Sequence, residues 1–344
     1  MNTDTITIPE ISSLVRQANS VYQQHFPTIT SFERAVFFSW GCTIGDCAFC
    51  YMSTQPKSKK PTETKRSPAS ILAEFILSKN LGWDIGFFTG GIGVLKPAEL
   101  ESLLKTICQI TQQKIWLSLG PISKQLLQCY QPYIRGVVGS TETVNPQLHK
   151  KVCPSKPLAP YERMFKHARE LNLECAMTFI VGLGETKDDL PLLINFINKY
   201  AIHKIHVYSL IPEKGTAFEY AIIPSAEEQT WWIAQLRINF PTLNIQCGIW
   251  EDRVDRVSLL LTAGANSLSK FKALKLFGTP IAQEIEHQAI LAHRTFQGTL
   301  TKIPLLDWDA QVDLLDLPLR FKQRIKQHIQ QYLQRMQKNN SLFS

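Results

Sequence analysis

No stretch of the 344-residue chain approaches the ~18 consecutive apolar residues that a membrane-spanning helix needs, which removes that class from the outset. The first thirty residues lack a basic start, an apolar run and a small-residue cleavage site, so no secretory leader is expected either. A cytoplasmic protein is the expectation. There is no low-complexity linker and no internal repeat beyond a strand–helix rhythm, and one α/β barrel accommodates this length. With 44% hydrophobic and 19% charged residues, the composition excludes a disordered chain.

Acidic residues are missing from one place in particular. Between Leu319 and Ser344 there are six basic side chains and no acidic one. Removing those six from the 37 basic residues leaves 31 against 29 acidic, so the net charge of +8 belongs to a tail on a nearly neutral body. Within that tail Ile325, Ile329, Tyr332, Leu333 and Met336 recur at helical spacing. This predicts a C-terminal helix packed on the body with a solvated basic face; docking onto an acidic partner is the sharper alternative. The tail lacks aromatic platforms apart from Tyr332, which argues against single-stranded nucleic acid.

What is present is a βα rhythm. Strands are predicted at Ala35–Ser39, Ile85–Thr89, Ile115–Leu119, Gly136–Ser140, Leu173–Val181, Ile205–Leu210 and Leu243–Cys247, with a weak eighth near Ala265–Leu268. Helical patterns lie between them near 68–80, 97–112, 122–130, 159–171, 187–200, 225–238 and 251–263, and another covers Glu10–Gln24. The fold class expected is α/β, a complete or nearly complete (β/α) TIM-type barrel with an N-terminal helix and a basic C-terminal helical tail. The expected divisions are an extension over 1–30, the barrel over 31–285 and the tail over 286–344. A doubly wound open sheet is the alternative.

Eight cysteines in a reducing compartment point to free thiols or metal ligands more than to disulfides. Cys108, Cys129, Cys153, Cys175 and Cys247 are scattered, whereas Cys42, Cys47 and Cys50 fall within nine residues directly after the first predicted strand. Three thiolates on one tight loop can bind three irons of a [4Fe–4S] cube and leave the fourth iron open. Zinc would ask for a fourth ligand that no nearby Cys or His supplies, and unligated structural thiols are the bland reading. In a barrel the first βα loop lies at the catalytic end, where an open iron invites a ligand.

The segment Trp40-Gly-Cys-Thr-Ile-Gly-Asp-Cys-Ala-Phe-Cys-Tyr51 resembles the signature of the radical S-adenosylmethionine (SAM) superfamily. Ile180-Val-Gly-Leu-Gly-Glu-Thr186, Glu213-Lys-Gly-Thr216 and Ala263-Gly-Ala-Asn-Ser267 resemble its biotin synthase-like branch, which includes the [FeFe]-hydrogenase maturase and the pyrrolysine-pathway mutase. The resemblance implies an enzyme that cleaves SAM reductively at a [4Fe–4S] cluster held by Cys42, Cys47 and Cys50, giving a 5′-deoxyadenosyl radical that abstracts hydrogen. It also implies an electron donor such as ferredoxin or flavodoxin. By the same resemblance Gly90 and Gly91 approach the SAM amino group, and Glu142 takes the ribose hydroxyls with Ser140 nearby. Arg163 pairs with the methionyl carboxylate, and Ile180, Gly182, Ile211 and Pro212 line the nucleotide.

The sequence departs from the family pattern in three ways. Four residues, Thr43 to Asp46, separate the first two cysteines where three are usual, and Ile92 stands where an acidic residue is common. Thr89, Trp116 and Ala176 fall at the positions where biotin synthase holds its sacrificial second cluster, so biotin formation is not expected. A second cluster elsewhere would draw on Cys153 and Cys247. Cys47-Ala-Phe-Cys-Tyr-Met-Ser-Thr-Gln55 and Ser267-Leu-Ser-Lys-Phe271 resemble the two-component lipoyl synthases, which implies sulfur insertion into an octanoyl chain, a lipoyl carrier domain and a partner subunit. Radical rearrangement or cleavage of a small molecule is the alternative reaction. A non-catalytic metal-binding scaffold is the alternative of another class.

Overall fold

In the computed structural model, which describes residues 8–56 and 60–343, strands and helices alternate from the first turn of the barrel to its last. The helix α1 (Ile8–His25) leads through β1 (Ile29–Ser31) into β2 (Glu33–Phe37), followed by α2 (Pro68–Asn80), β3 (Asp84–Thr89), α3 (Pro97–Thr111), β4 (Ile115–Ser118), α4 (Lys124–Tyr130) and β5 (Ile134–Glu142). Two helices, α5 (Pro146–Val152) and α6 (Leu158–Glu170), precede β6 (Glu174–Val181). Then come α7 (Leu190–Tyr200), β7 (Ile202–Ser209), α8 (Ala226–Asn239), β8 (Asn244–Gly248), α9 (Val257–Thr262) and β9 (Ser267–Ser269). Beyond the sheet lie α10 (Ala273–Leu276), α11 (Pro280–Leu291), β10 (Thr295–Gln297), α12 (Trp308–Asp313) and α13 (Leu319–Phe343).

Among the described residues β2 to β9 form one parallel eight-stranded sheet in strict sequence order. Its two edges meet through a single parallel bridge between Phe32 and Leu268. The order never reverses, which excludes the doubly wound alternative. The fold is a TIM-type (β/α) barrel with a thin seam between β2 and β9. The strands are buried on both faces, as β6 illustrates from Cys175 to Val181, because helices cover the outside and side chains fill the inside.

The inside has two parts below the mouth. Phe87, Trp116, Val138 and Ala176 make an apolar plug. Beside it a polar network runs through Glu33, whose carboxylate takes both a 2.6 Å ion pair from Lys204 and hydrogen bonds from Ser267 and Gln246. His206 joins it through Gln246 at 2.7 Å and meets the Phe87 ring edge-on at 5.0 Å. This fills the lower barrel and leaves the C-terminal ends of the strands to form a chamber.

The outer helices follow ordinary rules. Ser67 accepts the Ser70 N–H at the start of α2, with Pro68 in the first turn, and Ser225 with Glu228 makes a capping box on α8. α2 is buried almost all round because the barrel lies on one side and α13 on the other. In α13 Ile325, Ile329 and Met336 are buried while the basic side chains face outward, as the tail pattern predicts. Arg66 donates to the Tyr332 hydroxyl at 3.2 Å and Lys326 pairs with Asp313 at 2.8 Å, fixing both ends of the packed stretch. Among the described residues no helix is long and apolar enough to cross a membrane.

Candidate functional site

The chain leaves β2 and enters the cysteine loop at the catalytic end of the barrel. That loop is pinned from three directions. The Thr43 N–H and hydroxyl both donate to the Ile92 carbonyl, at 3.1 and 2.8 Å, tying it to the loop after β3. Ala48 donates to the Val152 carbonyl at 2.8 Å, and its own carbonyl accepts from Ala217 at 3.0 Å. Inside the loop the Cys50 N–H donates to the Cys47 carbonyl at 3.1 Å and Ser53 Oγ donates to the Cys50 carbonyl at 2.7 Å, fixing the turn that carries the last two cysteines. Gly90 and Gly91 have a packing reason as well as a ligand reason. A Cβ at Gly91 would overlap the Gly41 carbonyl oxygen, and one at Gly90 would overlap the Phe38 ring.

The three thiols line a single cavity of about 840 Å³ at the barrel mouth. Gly90, Gly91, Ser140, Glu142, Ile180 and Ile211 line it too, so six of the nine residues expected around SAM share one chamber with the cysteines. Phe37, Trp40, Tyr51, Phe87, Phe271 and Leu274 give it an extensive apolar wall. The cavity also contains residues that sequence reasoning passed over: Lys156, Tyr161, Tyr208, Trp250 and Lys270. No spacing signal marks them, because they come from separate loops and strand ends and, for Tyr161, from the first turn of α6, and only the fold gathers them.

Glu142 ends β5 in a left-handed conformation, φ +61°, where the ladder with β6 skips a register. Its carboxylate takes a 3.0 Å ion pair from Lys156 and a 2.9 Å hydrogen bond from Thr178 Oγ1. Burial alone would raise this carboxyl, but Lys156 and Thr178 pull it below the usual carboxylate range. Burial likewise opposes the charge on Lys156, and Glu142 lifts its ammonium well above the ordinary lysine value. Both groups are therefore charged at neutral pH. The Tyr161 hydroxyl beside them is buried and has no hydrogen-bond partner among the described residues.

The same environment acts on the thiols. A hydrogen bond with Cys153 draws Cys47 below the ordinary thiol value against the pull of burial, and the charge of Lys156 helps. Burial pushes Cys50 up to about 11. Iron binds the thiolate, so Cys47 is partly prepared, whereas Cys50 would give up its proton on binding. Among the described residues no three His, Cys, Asp or Glu side chains are arranged around one point as they would be for a single metal ion. A cluster instead takes one thiolate per iron. Three thiols on the wall of one chamber fit a cube with one open iron; Cys153 lies against Cys47 but is not on that wall.

Three expected residues are not in the chamber. Arg163 is exposed on α6 and lines a separate groove with Lys124 and His167. The reason is helix phase: Tyr161, Met164, Phe165 and Ala168 form the buried face, and position 163, two residues from 161, falls on the opposite side. The cation that pairs with Glu142 in the chamber is Lys156. Gly182 is occupied structurally, with φ +101° and its N–H donated to Glu185 at 2.6 Å, and neither it nor Pro212 reaches the cavity wall. Nor does the fold bring together the two cysteines named for a second cluster. Cys153 packs with Cys47 and Leu183, while Cys247 faces the outer core and approaches the Ser267 carbonyl at 3.5 Å. Trp116 and Ala176 belong to the apolar plug.

Residues 36–197 match the radical SAM superfamily. The chain is 35% identical over 305 residues to an uncharacterized protein of Methanocaldococcus jannaschii, covering 88% of this chain and 84% of that one. It is 24% identical over 283 residues to the biotin synthase of Thermodesulfovibrio yellowstonii, covering 80% and 88%. Among solved structures, methylornithine synthase superposes with a TM-score of 0.66 at 18% identity over 76% of this chain and 78% of that one. The FeFe-hydrogenase maturase from Carboxydothermus hydrogenoformans superposes with a TM-score of 0.63 at 14% identity, covering 95% and 83%.

Proposed function

We propose, from the premise that this chain belongs to the radical SAM superfamily and to its biotin synthase-like branch, that the barrel-mouth cavity cleaves SAM and turns the resulting radical on an alkyl carbon of a second substrate. A [4Fe–4S] cluster bound there would supply the electron that splits the sulfonium bond into methionine and a 5′-deoxyadenosyl radical. Cys42, Cys47 and Cys50 would hold that cluster, and a reduced ferredoxin- or flavodoxin-type donor would charge it. The observation that carries the reading is convergence: the three thiols, the Gly90–Gly91 turn and charged Glu142 all face one chamber.

Each residue has a task that its chemistry suits. The Glu142 carboxylate can accept two ribose hydroxyl hydrogens while Lys156 keeps it ionised. Ser140 adds a hydroxyl, and Ile180 and Ile211 offer an apolar face to the adenine. The Ile92 carbonyl is taken by Thr43, so the SAM amino group would turn to the carbonyls of Gly90 and Gly91. The surrounding aromatic wall excludes water from a radical that would attack any accessible C–H bond.

Sulfur insertion into an octanoyl chain on a lipoyl carrier domain is the finer reading, supported by the Cys47–Gln55 and Ser267–Phe271 phrases and by a wall suited to an alkyl chain. With Trp116 and Ala176 in an apolar plug, its sulfur would come from a second cluster held by this chain outside the lower barrel. The same plug favours the second reading, rearrangement or cleavage of a small molecule, which needs one cluster only. Iron counting after anaerobic reconstitution, with and without an octanoylated carrier domain, separates them. About eight irons per chain and a thiolated product would support sulfur insertion; about four irons and no product would support the second reading.

A further inference from the structure

Lys270 follows directly on β9, in a backbone conformation that lysine seldom adopts, φ +71°. Its side chain turns into the cavity and its ammonium lies 4.3 Å from the centroid of the Tyr208 ring. Gly248 makes room for this arrangement, since a Cβ there would press on the Tyr208 ring and come within 3.2 Å of the Lys270 stem. Three separate features thus place one ammonium.

That ammonium has no hydrogen-bond acceptor or ion-pair partner among the described residues. Glu142 is held by Lys156 and Thr178, and the neighbouring Lys272 is paired with Glu251 at 2.5 Å. The Tyr208 ring compensates the charge in part, as an aromatic face does for a cation. On the same cavity wall the Trp250 indole N–H is buried and also lacks an acceptor. Burial draws the Lys270 ammonium below the ordinary lysine value, with Glu142 and Cys50 opposing the shift. A cation without an acceptor and an unmatched buried N–H, both facing a chamber that is otherwise largely apolar, ask for an anionic acceptor from a ligand.

We propose that Lys270, on the Tyr208 ring and with the Trp250 N–H in the same chamber, is the anchor for the carboxylate of a substrate that enters as a free acid, with its apolar body against Phe87, Phe271 and Leu274. This rests on the reading of the chamber as the place where substrate meets SAM. It also chooses within that reading, because a carrier-bound acyl amide is neutral and would leave Lys270 unmatched.

Octanoate and octanamide differ in charge and little else, and serve as probes. Their anaerobic binding by equilibrium dialysis is compared on the reconstituted protein, with and without SAM, for wild type, Lys270→Met and Lys270→Arg. Wild type should hold octanoate about 10- to 100-fold more tightly than octanamide, the worth of a charge-assisted hydrogen bond. The preference should vanish in Lys270→Met and largely survive in Lys270→Arg, while SAM affinity in Lys270→Met stays with wild type. No preference in wild type, or one that persists in Lys270→Met, would overturn the proposal. So would a loss of SAM affinity in Lys270→Met comparable to the loss of octanoate, which would give the lysine to SAM's own carboxylate. The comparison made without SAM stands whether or not the wild type cleaves SAM, so failure of the radical reading shows up separately.

Discussion

Replacing Lys156 by Met would leave the Glu142 carboxylate in the chamber with Thr178 as its remaining side-chain donor. The pair is 3.0 Å apart and its side chains are only 7% and 10% exposed, so solvent would do little to screen the stranded charge. Removing one partner of a buried pair costs about 3–5 kcal/mol, whereas removing both leaves no unpaired charge. The Lys156→Met and Glu142→Gln variants should each lower the midpoint of chemical denaturation of the apo protein. Their combination should cost less than the sum by about 1–3 kcal/mol. The pH dependence has a definite sign. Glu142 is held below the usual carboxylate range, so its contribution is present above the unfolded value and is lost as pH falls through the lower folded value. In Lys156→Met burial would favour the neutral acid, so the gap between variant and wild type should narrow toward acid. Additivity within about 0.5 kcal/mol and a gap independent of pH would refute the reasoning.

Other predictions read different parts of the molecule. Gly91→Ala would drive a methyl into the Gly41 carbonyl and push the two loops apart at a cost of about 1–3 kcal/mol; iron retained after reconstitution should fall while far-UV circular dichroism stays barrel-like. Arg163→Ala should leave SAM affinity within about twofold of wild type, because the side chain is outside the chamber, and a tenfold loss would restore it to the site. Glu33 is kept ionised by Lys204 against burial, so wild-type stability should fall as pH drops through its lowered value, and Glu33→Gln should flatten that acid limb. Replacing Arg320, Arg324 and Arg335 together by Gln should leave 5′-deoxyadenosine formation unchanged, as expected of a solvated face.

The barrel strands were legible because their β-branched and aromatic runs are buried on both faces, a pattern that few other environments produce. Even the short Ser267–Ser269 strand announced itself weakly. α11 did not, and its residues say why. It buries Ala282, Ile285 and Ala289 while Ile290 and Leu291 are exposed, so apolar residues lie on both sides and small alanines blur the buried stripe. β1 and β10 are three-residue strands that pair only with each other, too short to carry a period. In the site, the cysteine loop and the Gly90–Gly91 turn are local in sequence and could be read. Lys156, Tyr161, Trp250 and Lys270 could not, because their meaning lies in which strand ends face each other. Arg163 lies outside the chamber for a simpler reason: a motif match ignores the phase of the helix that carries it.

The central claim is that the three thiols at the mouth support SAM cleavage, and one anaerobic assay addresses it. The protein is reconstituted with iron and sulfide, given SAM and a strong reductant, and 5′-deoxyadenosine is quantified by mass spectrometry beside Cys47→Ala. Wild type should give 5′-deoxyadenosine and the variant none. Equal product from both, or a wild-type protein that builds no cluster, would contradict it.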